Sequence, residues 1–489
     1  MARVTRIAII GGGPGGYEAA LVALQLGAQV TLIDRDGAGG SAVLTDCVPS
    51  KTLIATAEVM SVLDEGAELG VHVPDEHDQH EHGQHDHGQH DHGLQSDQFD
   101  QHDVHGVAVD LAGVNARVRA LAAAQSADIR SHMDREGVRW VEGIGRLAAP
   151  GVVELSSASG ATERLEVETV LIATGAHPRV LPEAMPDGER ILTWEQLYGL
   201  TELPARLIVV GSGVTGAEFA SAYQALGSHV VLVSSRDRVL PGEDPDAALV
   251  LEEVFRRRGM EVLSKARAAG VQRVGDGVVV TLADGRTLEG SHCLMAVGSV
   301  PNTAGIGLEE AGIRLGPGGF VEVDRVSRTS VRGVYAAGDC TGVLMLASVA
   351  AMQGRIAMEH TLGDAVQPLD LGEVSSNVFT DPEIATVGVT QNDVDSGVVE
   401  AVSVKLPLAT NPRAKMQGVH DGFVKLFALP GTRIIVGGVV VAPRASELIF
   451  PITIAIAHRL TVDELAHTFT IYPSLTGSIA EAARLLHRN

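Results

Sequence analysis

Cysteine and long apolar runs are both scarce in this chain of 489 residues. Its three cysteines, Cys47, Cys293 and Cys340, lie far apart in sequence, which argues against a disulfide framework and fits a reduced protein. No apolar run approaches the roughly 18 residues needed to cross a bilayer. The first apolar segment, residues 7–10, is too short for a signal peptide. These absences predict a cytoplasmic protein without membrane insertion.

Positive charge is also in short supply. The chain has 37 Lys and Arg against 61 Asp and Glu, a formal net charge of −24. Such a balance argues against nucleic acid and anionic membrane surfaces as partners, because both attract clustered cations. The length predicts two to four domains, and 45% hydrophobic residues with 56 glycines are typical of an α/β enzyme.

Two segments carry a strand, a glycine-rich turn and a helix, the pattern of a dinucleotide-binding unit. In the first, a strand over residues 6–10 leads into Gly11, Gly13 and Gly16. These glycines allow the backbone to approach a pyrophosphate, which the helix N-terminus attracts. The next strand ends at Asp34, 23 residues after Gly11, where a carboxylate can accept a hydrogen bond from a ribose hydroxyl.

The second unit contains Gly211, Gly213 and Gly216 after a strand over residues 207–210. Its next strand ends at Ser234 instead of an acid. Two such units predict two nucleotide sites, or a duplicated fold in which one site has been lost.

The residues around that strand end bear on which nucleotide binds. Ser234 is followed by Ser235, Arg236 and Arg238. A carboxylate there would repel a 2′-phosphate, whereas hydroxyls and guanidinium groups accept it. We therefore predict NADPH, with NADH tolerated. The alternative is that Arg236 and Arg238 are solvated loop residues.

A low-complexity insert occupies residues 75–106. Nine of the 19 histidines fall between His77 and His105, and few apolar residues accompany them, which predicts a mobile surface loop. Histidines alternating with aspartates can bind divalent metals through imidazole, but such tracts are more often solvated linkers. We predict no metal site. The weak candidates for metal ligands are His85, His87, His90 and His92.

Beyond the insert, residues 111–136 are predicted to form a long Ala-rich helix. From residue 372 onward, β-rich segments and amphipathic helices indicate a third domain, and residues 434–441 form a β-branched run suited to a buried strand. Two further motifs, LIATGA at 171–176 and GVYAAGDC at 333–340, are strands running into glycine turns.

In this order and spacing, the glycine loops and the two strand motifs resemble the class I pyridine nucleotide-disulfide oxidoreductases. That family includes dihydrolipoamide dehydrogenase and glutathione reductase. Residues 379–388 and 445–449 resemble its dimerisation domain. The resemblance implies an α/β fold with two Rossmann-like domains, for FAD and NAD(P), plus a C-terminal α+β dimerisation domain. The implied segments are 1–177 and 291–365 for the FAD domain, 178–290 for the NAD(P) domain and 366–489 for the dimerisation domain.

The resemblance also implies which positions bind the two cofactors, with Asp339 on the flavin ribitol. For FAD the positions are Gly11, Gly13, Pro14, Gly15, Gly16, Asp34, Gly40, Ser41, Lys51, Thr174, Gly175, Gly338, Asp339 and Ala347. For NAD(P) they are Gly211, Gly213, Val214, Thr215, Gly216, Ser234, Ser235, Arg236 and Gly298.

The catalytic positions implied by the family are partly kept and partly lost. Lys51 matches the lysine beside flavin N5, Glu218 its partner, and Cys47 the cysteine nearest the flavin. The family motif GGxCxxxxCxPSK has Ala42 here in place of the cysteine that exchanges with substrate. A single thiol in this segment cannot form its redox disulfide.

A second departure lies near the C-terminus. The family pattern HxxHPTxxE supplies a His–Glu acid–base pair from the partner subunit, but this chain has Tyr472 and Gly477 at those positions. A phenol with a pKa near ~10 is a poor base at neutral pH. The proton shuttle of the thiol chemistry is therefore absent, as is the exchange cysteine.

One branch of the family, the NAD(P)H quinone reductases, lacks the redox disulfide, and residues 42–51 and 210–219 resemble it. The resemblance implies an FAD-dependent homodimer that passes a hydride from NAD(P)H to flavin N5 and then electrons to a quinone. We expect Tyr472 either to hydrogen-bond a quinone carbonyl from the neighbouring subunit or simply to pack there. Two alternatives stay open. One is a dihydrolipoamide dehydrogenase with altered cysteine use, and the other is a non-catalytic flavoprotein that acts as a scaffold or nucleotide sensor.

Overall fold

The computed structural model describes residues 4–71 and 107–488. The His-rich insert, with His85, His87, His90 and His92, therefore lies outside the described residues. Among the residues that are described, no helix is long and apolar enough to cross a membrane.

The described residues form twenty-two β-strands. In chain order they are β1 (Arg6–Ile10), β2 (Gln29–Asp34), β3 (Arg139–Ala149), β4 (Val152–Ser157), β5 (Thr162–Glu166), β6 (Thr169–Ile172), β7 (Ala176–Pro178), β8 (Ile191–Leu192), β9 (Arg206–Val210), β10 (His229–Val233), β11 (Glu261–Leu263), β12 (Ala268–Val274), β13 (Gly277–Leu282), β14 (Thr287–Gly290), β15 (His292–Met295), β16 (Ser299–Pro301), β17 (Val334–Ala336), β18 (Ser375–Val378), β19 (Glu383–Gly388), β20 (Val402–Pro407), β21 (Phe423–Ala428) and β22 (Ile435–Ala442).

Thirteen α-helices lie in the same described ranges. They are α1 (Pro14–Gln25), α2 (Gly40–Leu44), α3 (Cys47–Gly66), α4 (Leu111–Glu136), α5 (Val214–Ala225), α6 (Pro245–Arg257), α7 (Ala347–Leu362), α8 (Gln391–Asp395), α9 (Pro412–Met416), α10 (Ala445–Leu448), α11 (Phe450–Ala457), α12 (Val462–His467) and α13 (Gly477–Arg488).

The chain divides into two compact units. Of the described residues, the first comprises 4–52, 116–179 and 297–376, and the second comprises 53–71, 107–115, 180–296 and 377–488. This division follows compactness, and the domain boundaries expected at residues 177, 290 and 365 stay predictions.

The first unit is built on a seven-stranded sheet in the order β17–β6–β1–β2–β3–β4–β5. The strands from β17 to β3 run parallel, so their carboxyl ends lie at one edge. Apolar side chains of β1 alternate between two buried clusters, with Ile7 and Ile9 on one face and Ala8 and Ile10 on the other. A sheet covered on both faces is typical of doubly wound α/β folds, and it presents its loops at the carboxyl edge.

The second unit contains a parallel sheet in the order β11–β10–β9–β15–β8 and a three-stranded sheet β12–β13–β14. It also contains β19, β22, β21 and β20, which pair antiparallel in that order and form one sheet with β18. The last sheet holds the β-branched run predicted as a buried strand, which is β22. Its core is formed by side chains that include Leu426, Val440 and Ile452, each fully buried. The predicted helix at residues 111–136 is confirmed as α4.

Candidate active site

The first glycine loop joins β1 to α1. Gly11 has φ +111°, and a Cβ there would lie 2.1 Å from the carbonyl oxygen of Ala173. A Cβ on Gly16 would lie 1.9 Å from the Gly11 oxygen, so only glycine fits at either position. The helix begins at Pro14 after Gly13, which supplies no side-chain cap. The first N–H groups of α1 are therefore available to bind an anion.

Asp34, the last residue of β2, braces this loop. Its Oδ2 accepts a hydrogen bond from the Gly12 N–H at 2.6 Å, and its Oδ1 accepts from Asp36 and Gly37 at 2.7 and 2.8 Å. Burial raises the pKa of this carboxyl, although the three backbone donors oppose that shift. The sequence predicted the ribose contact, but it did not indicate that the same carboxylate fixes the glycine loop.

Helix α2 packs against the glycine loop. A Cβ on Gly40 would lie 2.8 Å from Gly13 Cα, so the structure brings these two predicted FAD positions together. Ser41 follows at the exposed start of α2. Ala42 lies within α2, and the half-buried Cys47 is the first residue of α3.

A second part of the same edge follows β6 and β17. The two strands pair in parallel through Ile172 and Ala336, so Thr174–Gly175 and Gly338–Asp339 leave the sheet side by side. None of the described residues donates a hydrogen bond to the Asp339 side chain. Burial, assisted by the charge of Asp46, raises the pKa of Asp339 to about 6.

Helix α7 lies behind this edge, and Ala347 is its first residue. The buried amide of Gln353 accepts the Gly338 N–H at 2.8 Å. A Cβ on Gly354 would lie 2.1 Å from the Gly15 oxygen, which shows how closely α7 crosses α1. Sequence reasoning did not identify Gln353 or Gly354. The only available signal was a polar residue followed by a glycine within an Ala-rich helix.

The second glycine loop repeats the first between β9 and α5. Gly211 has φ +117°, and a Cβ there would lie 2.1 Å from the Ala296 oxygen. A Cβ on Gly216 would lie 1.9 Å from the Gly211 oxygen. Helix α5 begins with Val214 and Thr215 after Gly213, again without a side-chain cap. Both loops therefore have the geometry that a dinucleotide pyrophosphate requires.

Ser234 has a bracing role that parallels that of Asp34. It is fully buried, and its Oγ accepts a hydrogen bond from Ser212 Oγ at 2.7 Å and from the Arg236 N–H at 3.2 Å. Its hydroxyl is thus engaged within the protein, whereas Ser235 and Arg236 are exposed. Gly298, with φ +92°, belongs to the first unit and precedes β16.

The two residues expected to form the flavin-side ion pair lie on helices. Lys51 occupies the first turns of α3, and Glu218 is buried in α5. Glu218 Oε1 accepts the Phe379 N–H at 2.9 Å, and nearby the Asp381 N–H donates to Ser221 Oγ at 3.2 Å. The sequence did not indicate these hydrogen bonds between α5 and the loop after β18. The pairing of Lys51 with Glu218 stays a prediction.

The segment before α13 exposes apolar side chains in the single protomer. Phe469, Ile471 and Tyr472 are 102%, 81% and 84% exposed, and Gly477 begins α13. Three large apolar groups on one short segment are typical of a protein interface.

Family comparison agrees with this geometry. Residues 5–354 match the family described as pyridine nucleotide-disulphide oxidoreductase, and residues 374–483 match its dimerisation domain. The chain belongs to the pyridine nucleotide-disulphide oxidoreductase family. The predicted fold class is thereby confirmed, with a Rossmann-type α/β part and a C-terminal dimerisation domain.

Relatives within the pyridine nucleotide-disulphide oxidoreductases align over almost the whole chain. An NAD(P)H dehydrogenase (quinone) of Mycobacterium tuberculosis is 54% identical, covering 99% of this chain and 94% of the relative. Dihydrolipoyl dehydrogenase 2 of Haloarcula marismortui is 30% identical, covering 98% and 96%. The crystal structure of LpdA from Mycobacterium tuberculosis superposes with a TM-score of 0.89, at 54% identity and covering 99% and 100% of the two chains. The Escherichia coli flavoprotein disulfide reductase RclA, 22% identical with a TM-score of 0.82, shares the fold.

The pyridine nucleotide-disulphide oxidoreductases use FAD and NAD(P)H, and the residues described above fit both groups. Each glycine loop offers helix N–H groups without a side-chain cap. Each loop also lies so close to the neighbouring backbone that a Cβ at Gly11 or Gly211 would clash with the carbonyl oxygen of Ala173 or Ala296. Beyond the end of β17, the Asp339 carboxylate lacks a donor among the described residues, and a ribitol hydroxyl would supply one.

Proposed function

We propose that this protein is an FAD-dependent NAD(P)H:quinone oxidoreductase that works without a redox-active disulfide. Bound FAD would supply the two-electron redox chemistry that links NAD(P)H as donor to the quinone as acceptor, with the quinone also taking up two protons. The observation that carries the proposal is a dinucleotide scaffold with both glycine loops intact and Ala42 in place of the exchanging cysteine on α2. The 54% identical relative is named NAD(P)H dehydrogenase (quinone), which supports the proposal.

The chain's own residues would hold and orient the cofactors. Asp34 would accept from the adenosine ribose while keeping its bonds to the glycine loop, and Asp339 would accept from the ribitol. Lys51 would supply a positive charge beside the flavin, with Glu218 as its counter-charge. The remaining positions predicted from the resemblance would line the two cradles.

The lost thiol chemistry argues against a disulfide substrate. Disulfide exchange needs a thiolate that attacks and a group that moves the proton. Cys47 has no second cysteine within residues 39–51, and the acid–base positions hold Tyr472 and Gly477. The 30% identical relatives named dihydrolipoyl dehydrogenase make lipoamide the acceptor to test against quinone.

The finer assignments follow from the same residues. We propose NADPH as the preferred nucleotide, since Ser235 and Arg236 are exposed beside the second loop and no acid occupies the end of β10. A homodimer would cover Phe469, Ile471 and Tyr472, and Tyr472 would reach the quinone or pack beside it. We place the enzyme in the cytoplasm.

One anaerobic experiment separates quinone, lipoamide and non-catalytic roles. The FAD-loaded protein is mixed with NADPH, flavin bleaching is followed, and menadione or lipoamide is then added. We expect rapid bleaching and reoxidation by menadione alone. Reoxidation by lipoamide would contradict the proposal in favour of a dehydrogenase, and slow bleaching would favour a scaffold or sensor.

A further inference from the structure

Two loops of the second unit are joined by backbone hydrogen bonds beside the second glycine loop. Strands β10 and β11 pair in parallel with Val233 opposite Leu263, so the segments that follow them leave the same sheet edge. Three backbone bonds join the segments. Ser234 N–H donates to the Leu263 oxygen at 2.9 Å, Ala266 N–H to the Ser234 oxygen at 2.8 Å, and Lys265 N–H to the Arg236 oxygen at 2.6 Å. Lys265 is therefore held directly against Arg236.

Lys265 is exposed, and it forms no ion pair with any described residue. Its backbone is left-handed at φ +54°, an uncommon conformation for a residue with a side chain. Two other lysines of this lysine-poor chain, Lys405 and Lys425, are both paired with Asp246. Lys265 and Lys415 are thus two lysines without an ion pair among the described residues, in a chain of net charge −24.

The neighbouring Arg236 and Arg238 also lack an acidic partner among the described residues. Neither Arg236 nor Arg238 forms an ion pair within the described residues, and Arg238 Nε is buried with no hydrogen-bond partner there. The one acidic residue among them is the exposed Asp237. The two loops, residues 234–244 and 264–267, carry four cations against three carboxylates, and one of those carboxylates, Asp244, is already paired with Lys425. An unsatisfied buried guanidinium N–H is a cost that a bound anion can offset.

We propose that Lys265 is a specificity-determining residue that completes the site for the adenosine 2′-phosphate of NADPH together with Arg236 and Arg238. The proposal rests on the proposed use of NADPH and adds a residue from the loop after β11, 29 positions beyond Arg236. Charge-assisted hydrogen bonds from Lys265 would bind the phosphate, which NADH lacks. Ser234, buried beneath, acts as a positioning residue because its Oγ accepts from the Arg236 N–H.

The test uses direct binding to the FAD-loaded protein. Calorimetry measures the Kd of adenosine 2′,5′-bisphosphate and of 5′-AMP for wild type, Lys265→Met, Lys265→Arg and Lys415→Met. Lys415, exposed on α9 and without an ion pair to any described residue, is the matched control. We expect Lys265→Met to weaken the bisphosphate about tenfold and 5′-AMP less than twofold, as the loss of a charge-assisted hydrogen bond requires. Lys265→Arg should recover most of the affinity.

Equal affinities in Lys265→Met and Lys415→Met would overturn the proposal, as would a wild type that binds the two nucleotides equally. Weakening of both nucleotides alike would also overturn it, since that pattern indicates a structural role. The readout needs no electron acceptor. A protein that fails to reduce menadione would contradict the proposed function. If that protein still binds adenosine 2′,5′-bisphosphate more tightly than 5′-AMP, and Lys265→Met removes the difference, the 2′-phosphate site is supported independently.

Discussion

Lys425 is a buried cation whose removal should destabilise the start of α6. Its side chain is 5% exposed, and its Nζ lies 2.9 Å from Asp244 Oδ2 and 2.9 Å from Asp246 Oδ2. Asp244 is 2% exposed, and its Oδ1 caps α6 by accepting the Asp246 N–H at 2.9 Å. Lys405 Nζ lies 2.7 Å from Asp246 Oδ1, but this lysine is 45% exposed. The two lysines thus offer a matched pair on one ion cluster.

Lys425→Met keeps the length of the side chain and removes its charge. Losing one partner of a buried pair costs about 3–5 kcal/mol, and the α6 N-terminus still offsets part of the Asp244 charge. We expect a loss of about 3 kcal/mol for Lys425→Met. Lys405→Met should cost at most about 1 kcal/mol, because exposed pairs are weak.

Hydrogen exchange of α6 measures this difference. At 1.4 kcal/mol per factor of ten, Lys425→Met should speed exchange in α6 about a hundredfold, and Lys405→Met less than about sixfold. Adding Asp244→Asn to Lys425→Met should recover part of the loss, since no buried charge then stays unpaired. Equal rates in the two lysine variants would refute the reasoning.

Three further predictions concern the proposed active site. Asp339 has a pKa raised to about 6, so protein without FAD should lose up to about 3 kcal/mol of stability as pH rises from about 4 to 6. Asp339→Asn should remove this contribution and bind FAD less tightly, and a variant whose unfolding free energy changes over that pH range as much as that of the wild type would contradict the assignment. Ala42→Cys should restore little lipoamide reduction, because the acid–base pair is still missing; turnover near that with menadione would show that the thiol alone was limiting. Tyr472→Phe should lower kcat/KM for menadione about fivefold, the worth of one hydrogen bond, with the dimer intact by ultracentrifugation. If kcat/KM for menadione is unchanged in Tyr472→Phe, Tyr472 only packs at this position and does not hydrogen-bond the quinone.

The local elements were predictable because their signals lie close together in sequence. The strand, glycine turn and helix around Gly11 and Gly211, and the length of α4, follow from glycine spacing and apolar pattern. Even the acid at Asp34 was placed correctly at the end of β2. These features need no knowledge of distant packing.

The bonds that fix the site join residues far apart in the chain. Glu218 accepts the N–H of Phe379, 161 positions away, and Lys425 reaches Asp244 across 181 positions. Such pairs depend on which elements pack together, and a single sequence carries no periodic signal for them. The same holds for Lys265, whose place beside Arg236 follows from the pairing of β10 with β11.

The central claim is that reducing equivalents reside on the flavin alone, because residues 39–51 hold one thiol, Cys47. An anaerobic dithionite titration of the FAD-loaded protein counts the electrons that it accepts. We predict complete reduction at two electrons per FAD, with no further uptake. Uptake of four electrons per FAD would reveal a second two-electron centre, as a redox disulfide provides, and would contradict the account.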